Sequence, residues 1–246
     1  MPAEKSLTKN RAEELNCDVW QDFVVPPFYD RLDLQDARKP RVIIGGRGCG
    51  KTMLLKYLSH QTMFSPNRKS IPGSAVNHIG LYWKADTQFA NLMYLRGLED
   101  DVWHSAFNHM AALMLSIEIL QSLNSISKSE AGIISKDDLK SISFPKVKSY
   151  DSALDTNFDG LLLSLEDRLA NFQTWINNVR SMAAPTFYPG KHFLVSLIHS
   201  IRQTIPKMSE ALYFVYLDEY ENLRPYQQQI INTYLKHEDV PFIVEK

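Results

Sequence analysis

The chain has only two cysteines, Cys17 and Cys49, in 246 residues. So few cannot form a disulfide framework, which sets aside the small cross-linked folds. An excess of either charge is also missing: 27 Lys and Arg face 28 Asp and Glu, for a net charge of -1. That balance argues against a broadly basic nucleic-acid surface. The basic clusters are short (Arg38-Lys39-Pro40-Arg41, Arg68-Lys69 and Lys146-Val147-Lys148), and each reads as a solvated loop. No apolar run approaches the ~20 residues of a membrane span. The start, Met1-Pro2-Ala3-Glu4-Lys5, lacks the apolar core of a signal peptide. The expectation is a soluble cytoplasmic protein with no membrane partner. The seven histidines show no ligand spacing, and His104 and His109 do not fall on one helical face. No metal site is expected beyond one completed by a bound nucleotide. Hydrophobic residues make up 44% of the chain, enough for a large core.

Gly45-Gly46-Arg47-Gly48-Cys49-Gly50-Lys51-Thr52 fits the phosphate-loop pattern G-x-x-x-x-G-K-[ST]. Arg41-Val42-Ile43-Ile44 before it reads as a buried strand, and Met53-Leu54-Leu55-Lys56-Tyr57-Leu58 after it as the first turns of a helix. The chemistry needs that context. Glycines let the backbone curl so that successive N–H groups face phosphate oxygens, and the helix N-terminus adds unpaired N–H groups and its positive dipole end. Lys51 can reach the β- and γ-phosphates, and Thr52 can place its hydroxyl on Mg²⁺. Gly45, Gly46, Arg47, Gly48, Cys49, Gly50, Lys51, Thr52 and Met53 form the expected binding set, with ATP and Mg²⁺ as ligands. The structural alternative is a glycine-rich turn with no ligand. Cys49 reads as a small filler in this loop, with a redox switch as the other reading.

Leu212-Tyr213-Phe214-Val215-Tyr216-Leu217 is an apolar run followed at once by Asp218-Glu219. It reads as a buried strand that delivers two carboxylates at its C-terminal end, the edge of an open α/β sheet where ligands bind. Asp218 is the expected Mg²⁺ ligand. Glu219 is expected to polarise the attacking water, which makes it, with Lys51, the catalytic pair. Alone, such a strand end would read as solvated. Paired with a phosphate loop it reads as the second half of one site.

Elsewhere, residues 5–16 suit a short charged helix, and Phe23-Val24-Val25-Pro26-Pro27-Phe28-Tyr29 an extended segment. Phe28 or Tyr29 can pack on an adenine ring or staple this arm to the core. Ile79 to Lys84 and Pro241 to Val244 are predicted strands. Phe107, Met110, Leu113, Met114, Ile117 and Leu120 make a helical stripe, and residues 124–157 read as loops with at most one short helix. Phe158, Leu162, Leu165, Leu169, Phe172, Ile176 and Val179 form a heptad seam, either a partner surface or a helix buried in its own domain. Phe193 to Ile205 and Tyr226 to Leu235 are predicted helices. Lys51 and Asp218 are separated by far more chain than a crossover between such strands needs. The predicted fold is α/β: a P-loop NTPase with a doubly wound parallel sheet and a large helical insertion between the two nucleotide-site motifs. Residues 1–97 are the arm and first part of the core, 98–206 the insertion, and 207–246 the second part of the core.

The loop from Gly45 to Thr52, with Leu54-Leu55-Lys56-Tyr57-Leu58 behind it, resembles the P-loop of AAA+-type ATPases related to the origin-recognition group. Asp218-Glu219-Tyr220-Glu221-Asn222-Leu223 with Tyr226-Gln227-Gln228-Gln229-Ile230-Ile231-Asn232 resembles the second motif of a bacterial branch of that group. Gly80-Leu81-Tyr82-Trp83-Lys84-Ala85-Asp86-Thr87 and Trp103…Phe107-Asn108-His109 are similar to the same branch. Members of that branch are often encoded in antiphage defence loci beside an effector. The resemblance implies Lys51 and Thr52 as phosphate and Mg²⁺ ligands, and Asp218 and Glu219 as metal ligand and catalytic carboxylate. It implies a homo-oligomer, an effector protein, or both as partners. The sequence departs from the pattern after the last strand, where no helical lid and no arginine-finger motif follow; Arg96, Arg202 and Arg224 have no supporting motif. The expectation is an N-terminal piece of a longer protein that binds nucleotide and hydrolyses it slowly. Two other readings share these residues: a nucleotide-dependent switch or scaffold without turnover, and a DNA-engaging motor or loader, which the net charge does not favour.

Overall fold

The structure is a computed structural model and describes residues 17–32, 34, 41–46, 48–235 and 242–245. In chain order the elements are α1 (Tyr29–Leu32), α2 (Lys51–Leu58), α3 (His60–Met63), β1 (Ile79–Lys84), α4 (Thr87–Leu92), α5 (Asp100–Lys128), α6 (Lys136–Ser141), α7 (Phe158–Asn177), α8 (Gly190–Thr204), β2 (Tyr213–Asp218), α9 (Pro225–Leu235) and β3 (Phe242–Glu245). The three strands form one parallel sheet in the order β1-β2-β3. β1 lies in register with β2 from Ile79 opposite Tyr213 to Lys84 opposite Asp218. β3 pairs with the other edge of β2, from Phe242 opposite Tyr213 to Glu245 opposite Tyr216.

Every residue of β2 is buried. Its side chains alternate between two hydrophobic clusters, as strand geometry demands. Tyr213, Val215 and Leu217 face the larger core, shared with α5, α7 and α8. Phe214 and Tyr216 face a smaller cluster with Leu54, Leu55 and Leu58 of α2. Helices therefore cover both faces of the sheet, which is why β2 reads as an unbroken apolar run. Gly80 brings α2 onto β1. A Cβ there would lie 2.0 Å from the Leu58 carbonyl oxygen and 2.8 Å from the Tyr216 ring, so only glycine allows the approach.

The segment before the phosphate loop corrects a sequence expectation. Residues 41–46 have no ladder partner among the described residues, so the predicted first strand is not formed. Both edges of β2 are already taken by β1 and β3. Val42 and Ile44 remain 64% and 92% exposed, where a core strand would have buried them. The structure thus contains a parallel sheet with helices on both faces, and a fuller doubly wound sheet is not present among the described residues. The predicted helix over 50–60 divides at Ser59, whose extended backbone caps both α2 and α3. The predicted charged helix at 5–16 lies outside the described residues.

Between the two motifs, the helical stretch packs on the sheet. α5 is about 44 Å long at 1.5 Å per residue, touches β1, α7, α8 and α9, and is buried nearly all round. By length and composition it is also apolar enough to cross a membrane, contrary to the reading of the sequence; 67% of its most apolar stretch is buried within the protein, as in a core helix. α7 answers the question posed by the heptad seam. Phe158, Leu165, Phe172 and Ile176 are buried against the rest of the core, with Leu162 and Leu169 half-buried beside them. Trp175 and Phe187 join Phe172 in a ring cluster, with centroids 5.5 to 6.5 Å apart. The seam is internal. Leu165→Asp or Phe172→Asp is therefore expected to unfold the protein rather than detach a partner, and Phe172→Ala to cost about 3–5 kcal/mol. Thermal melting followed together with light scattering checks this: a folded Phe172→Asp protein of unchanged melting temperature would overturn the packing.

Two buried histidines make stability depend on pH. Burial pushes His78 down to about 4, while its ring bonds the Tyr216 hydroxyl. Burial, helped by the Arg168 charge, holds His109 at about 4; its Nδ1 accepts the Tyr188 N–H at 3.0 Å. Both rings are neutral in the fold and take up protons on unfolding. Stability contributed this way is complete above about pH 6.5 and is lost as pH falls from there towards 4. The loss is on the order of 3 kcal/mol for each ring at most. Chemical denaturation should show stability falling between about pH 6.5 and pH 4.5; a flat profile would mean that the rings are already charged or solvated in the fold.

Candidate functional site

The phosphate loop turns into α2 through two glycines with positive φ, Gly48 at 82° and Gly50 at 90°. A side chain at either would be strained in this left-handed region. Gly50 is the N-cap of α2, and no side chain caps the helix. Its first N–H groups, which have no partner within the helix, and its positive dipole end are therefore left facing the loop. The Lys51 ammonium bends back over the loop and donates to the Gly45 carbonyl at 2.6 Å and the Gly46 carbonyl at 3.2 Å. Cys49 is exposed, with its sulfur 3.8 Å from the Lys51 Nζ. Arg47 lies outside the described residues.

The far-separated second motif meets this loop directly. Thr52 Oγ1 donates to Asp218 Oδ2 at 2.8 Å across 166 residues of sequence. Asp218 ends β2 and is 6% exposed. Its Oδ2 also accepts the Tyr82 hydroxyl of β1 at 3.0 Å, and its Oδ1 accepts the Glu219 N–H at 3.1 Å. Burial and the neighbouring Asp218 charge push the Tyr82 phenol far above its ordinary value, so it remains a donor to the carboxylate. Glu219 is one of two non-glycine residues with positive φ among those described, at 59°. The turn aims its carboxylate sideways: Oε1 lies 3.5 Å from Lys84 Nζ and Oε2 accepts from Asn222 Nδ2 at 3.1 Å. At about one-third exposure this ion pair adds little stability, but it fixes where the carboxylate rests.

A cavity of about 620 Å³ opens beside the loop, lined by Phe23, Phe28, Ile44, Gly45, Lys51 and Met53 among others. The arm at 17–32 forms its outer wall. Phe23 stacks on Tyr57 of α2 at 4.2 Å, and Tyr29 meets the same ring edge-on at 5.8 Å. The two roles weighed for Phe28 and Tyr29 thus divide: Tyr29 staples the arm, and Phe28 lines the cavity, half-exposed. The arginines without a motif are engaged elsewhere. Arg96 donates to the Ile176 carbonyl, Arg202 to the Ala211 carbonyl, and Arg224 stacks over the Tyr94 ring.

The donor set fits a nucleotide with Mg²⁺. An uncapped helix start, a lysine at the loop mouth, and a hydroxyl paired with a buried carboxylate are groups that phosphate oxygens and a hard cation take up. Sequence reasoning named Lys51, Thr52, Asp218 and Glu219 as site residues and did not so name Tyr82, Lys84 and Asn222, which contact the two carboxylates in the structure. The signal for the first two is the parallel register of β1 and β2, which sets Lys84 opposite Asp218.

No curated protein and no solved structure gives a significant match to the chain. A family model does: that of ORC-CDC6-like proteins, over residues 5–245. The match takes in both halves of the site and the helices between them, and it implies a P-loop fold of AAA+ type and an ATP-binding module. With nearly its whole length matched, the chain belongs to the ORC-CDC6-like family.

Proposed function

We propose that the chain binds and hydrolyses ATP at this site, with Mg²⁺, and uses the nucleotide state to control assembly or activation of a partner. The observation that carries the reading is the 2.8 Å bond between Thr52 and Asp218, which joins a phosphate loop to a buried carboxylate from the far end of the sequence. Lys51 exchanges its loop carbonyls for the β- and γ-phosphates and balances their charge. The loop glycines and the start of α2 supply amide donors. Thr52 and Asp218 would hold Mg²⁺, which neutralises phosphate charge when bound. Water then attacks the γ-phosphorus in line, and the Glu219 carboxylate takes its proton as ADP leaves. For that step Glu219 must turn away from Lys84 and Asn222. A copy of the same chain, an effector protein, or both are the partners that the family resemblance supports, and an antiphage setting rests on the resemblance of the motifs alone.

A second reading, a nucleotide-held switch with very slow turnover, is favoured by the way Lys84 and Asn222 hold Glu219. It is favoured too by Arg96, Arg202 and Arg224 being engaged elsewhere, since an arginine supplied to the transferring phosphate is worth about 10³–10⁵ in rate.

Replacing Lys51 by Ala removes the charge on the β/γ-phosphates, and ATP affinity measured by calorimetry should fall by more than about tenfold. Unchanged affinity would sink the phosphate-loop assignment. Glu219→Gln preserves shape and hydrogen bonding, so binding should survive while hydrolysis drops by roughly 10²–10⁴. Normal turnover by that variant would move the base elsewhere. Lys84→Met separates the two readings. If the ion pair restrains Glu219, steady-state phosphate release should rise with ATP affinity unchanged; an unaltered rate would mean that the pair holds nothing back.

A further inference from the structure

A second cavity, of about 300 Å³, shares no wall with the one beside the phosphate loop. Tyr94 reaches it from the chain that leaves β1 through α4, and Arg224 from the chain that leaves β2 through the Tyr220–Asn222 turn. Trp103, His104, Tyr226 and Asp100 complete its wall with Pro225.

The wall is aromatic and carries one arginine. Arg224 lies over the Tyr94 ring, its guanidinium carbon 4.0 Å from the centroid. His104 stacks on Tyr226 at 4.9 Å with the planes 27° apart. Trp103 is 1% exposed, and its indole Nε1–H has no hydrogen-bond partner among the described residues. The Nε–H of Arg224 is buried and unpartnered in the same way. Both atoms are closed off from solvent, so neither faces the cavity, and Arg224 meets it through the rest of its side chain.

We propose that this cavity is a second ligand site, independent of the phosphate loop, for a small aromatic acid: one planar ring carrying a carboxylate or a phosphate. The rings provide flat, electron-rich walls for a planar group. The Arg224 charge selects an anion with acceptor oxygens. Asp100, in the same wall, repels negative charge at its own end and so orients the acid group towards Arg224. The volume suits a ring with one substituent and is at the small end of ligand pockets.

The test uses the full chain and three probes, phenylacetate, phenyl phosphate and the neutral 2-phenylethanol, with binding read by calorimetry and saturation-transfer NMR. The wild-type protein should bind at least one acid saturably and the alcohol at least about tenfold more weakly. The two acids distinguish a carboxylate ligand from a phosphate ligand. Arg224→Gln should weaken the acid about tenfold while leaving the alcohol unchanged. Saturating ATP and the Lys51→Ala change should leave the acid's affinity unaltered. The inference is overturned by the absence of saturable binding up to about 10 mM, the weak limit set by millimolar affinities. Equal affinity in a folded Arg224→Gln protein, or competition by ATP, which would assign the probe to the phosphate loop, also overturns it. So does binding of single-stranded oligothymidylate that depends on Arg224 when neither acid binds. Arg224 is only partly buried, so the Arg224→Gln protein is expected to fold and decides the matter.

Discussion

Strand β2 is buried along its whole length and paired on both edges, by β1 throughout and by β3 from Tyr213 to Tyr216, and the rest of the molecule is arranged to keep it so. A strand with no side open to water must give each backbone group a ladder partner and each side chain a covering helix. β1 and β3 supply the ladders. α2 covers Phe214 and Tyr216, and the long α5 with its companions covers Tyr213, Val215 and Leu217. Asp218 is the end of this strand. A carboxylate delivered by such a rigid element has little freedom, and three donors, the Thr52 and Tyr82 hydroxyls and the Glu219 N–H, fix the freedom that remains.

The two carboxylates that follow one another in sequence thereby have opposite mechanical characters. Asp218 is buried, triply bonded and immobilised, as suits the cation-positioning role proposed for it. Glu219 sits in a left-handed turn, about one-third exposed, held by an ion pair and one amide. Partners of that kind exchange readily with solvent and ligand, as suits a group that has to reach a water molecule during a reaction. Lys51 is similar: its two acceptors are loop carbonyls, which a phosphate displaces without leaving a buried group unpaired.

Much of this was legible in the sequence, because both site motifs are local patterns. The phosphate loop requires glycine where φ is positive, and Gly48 and Gly50 stand there. The β-branched and aromatic apolar run ending in Asp218-Glu219 reads as a buried strand with a polar tip, and β2 is that strand. Residues 41–44 were misread because β-branched composition records what a strand prefers, whereas a strand exists only with a neighbour to pair with. Tyr82 and Lys84 were invisible because their contacts follow from the register between strands far apart in sequence. The end of α5 was misread for a different reason. Ser125 and Ser127 suggested a loop, yet their hydroxyls donate to the Gln121 and Asn124 carbonyls, and α5 runs on to Lys128. Serine is tolerated inside a helix when it bonds back in this way. The seam of α7 was legible as a stripe, but only its packing partners show that it faces inward.

Gly80 touches no phosphate and carries no chemistry, yet it controls the distance on which the site depends. Because the Leu58 carbonyl rests where its side chain would be, any larger residue at position 80 must lift the C-terminal end of α2 off the sheet. The helix is short and stiff, so such a displacement tilts its other end, where Lys51 and Thr52 sit. The span between the Thr52 hydroxyl and the Asp218 carboxylate then widens. A fault in backbone packing at the far end of α2 would thus register as a fault in the handling of phosphate.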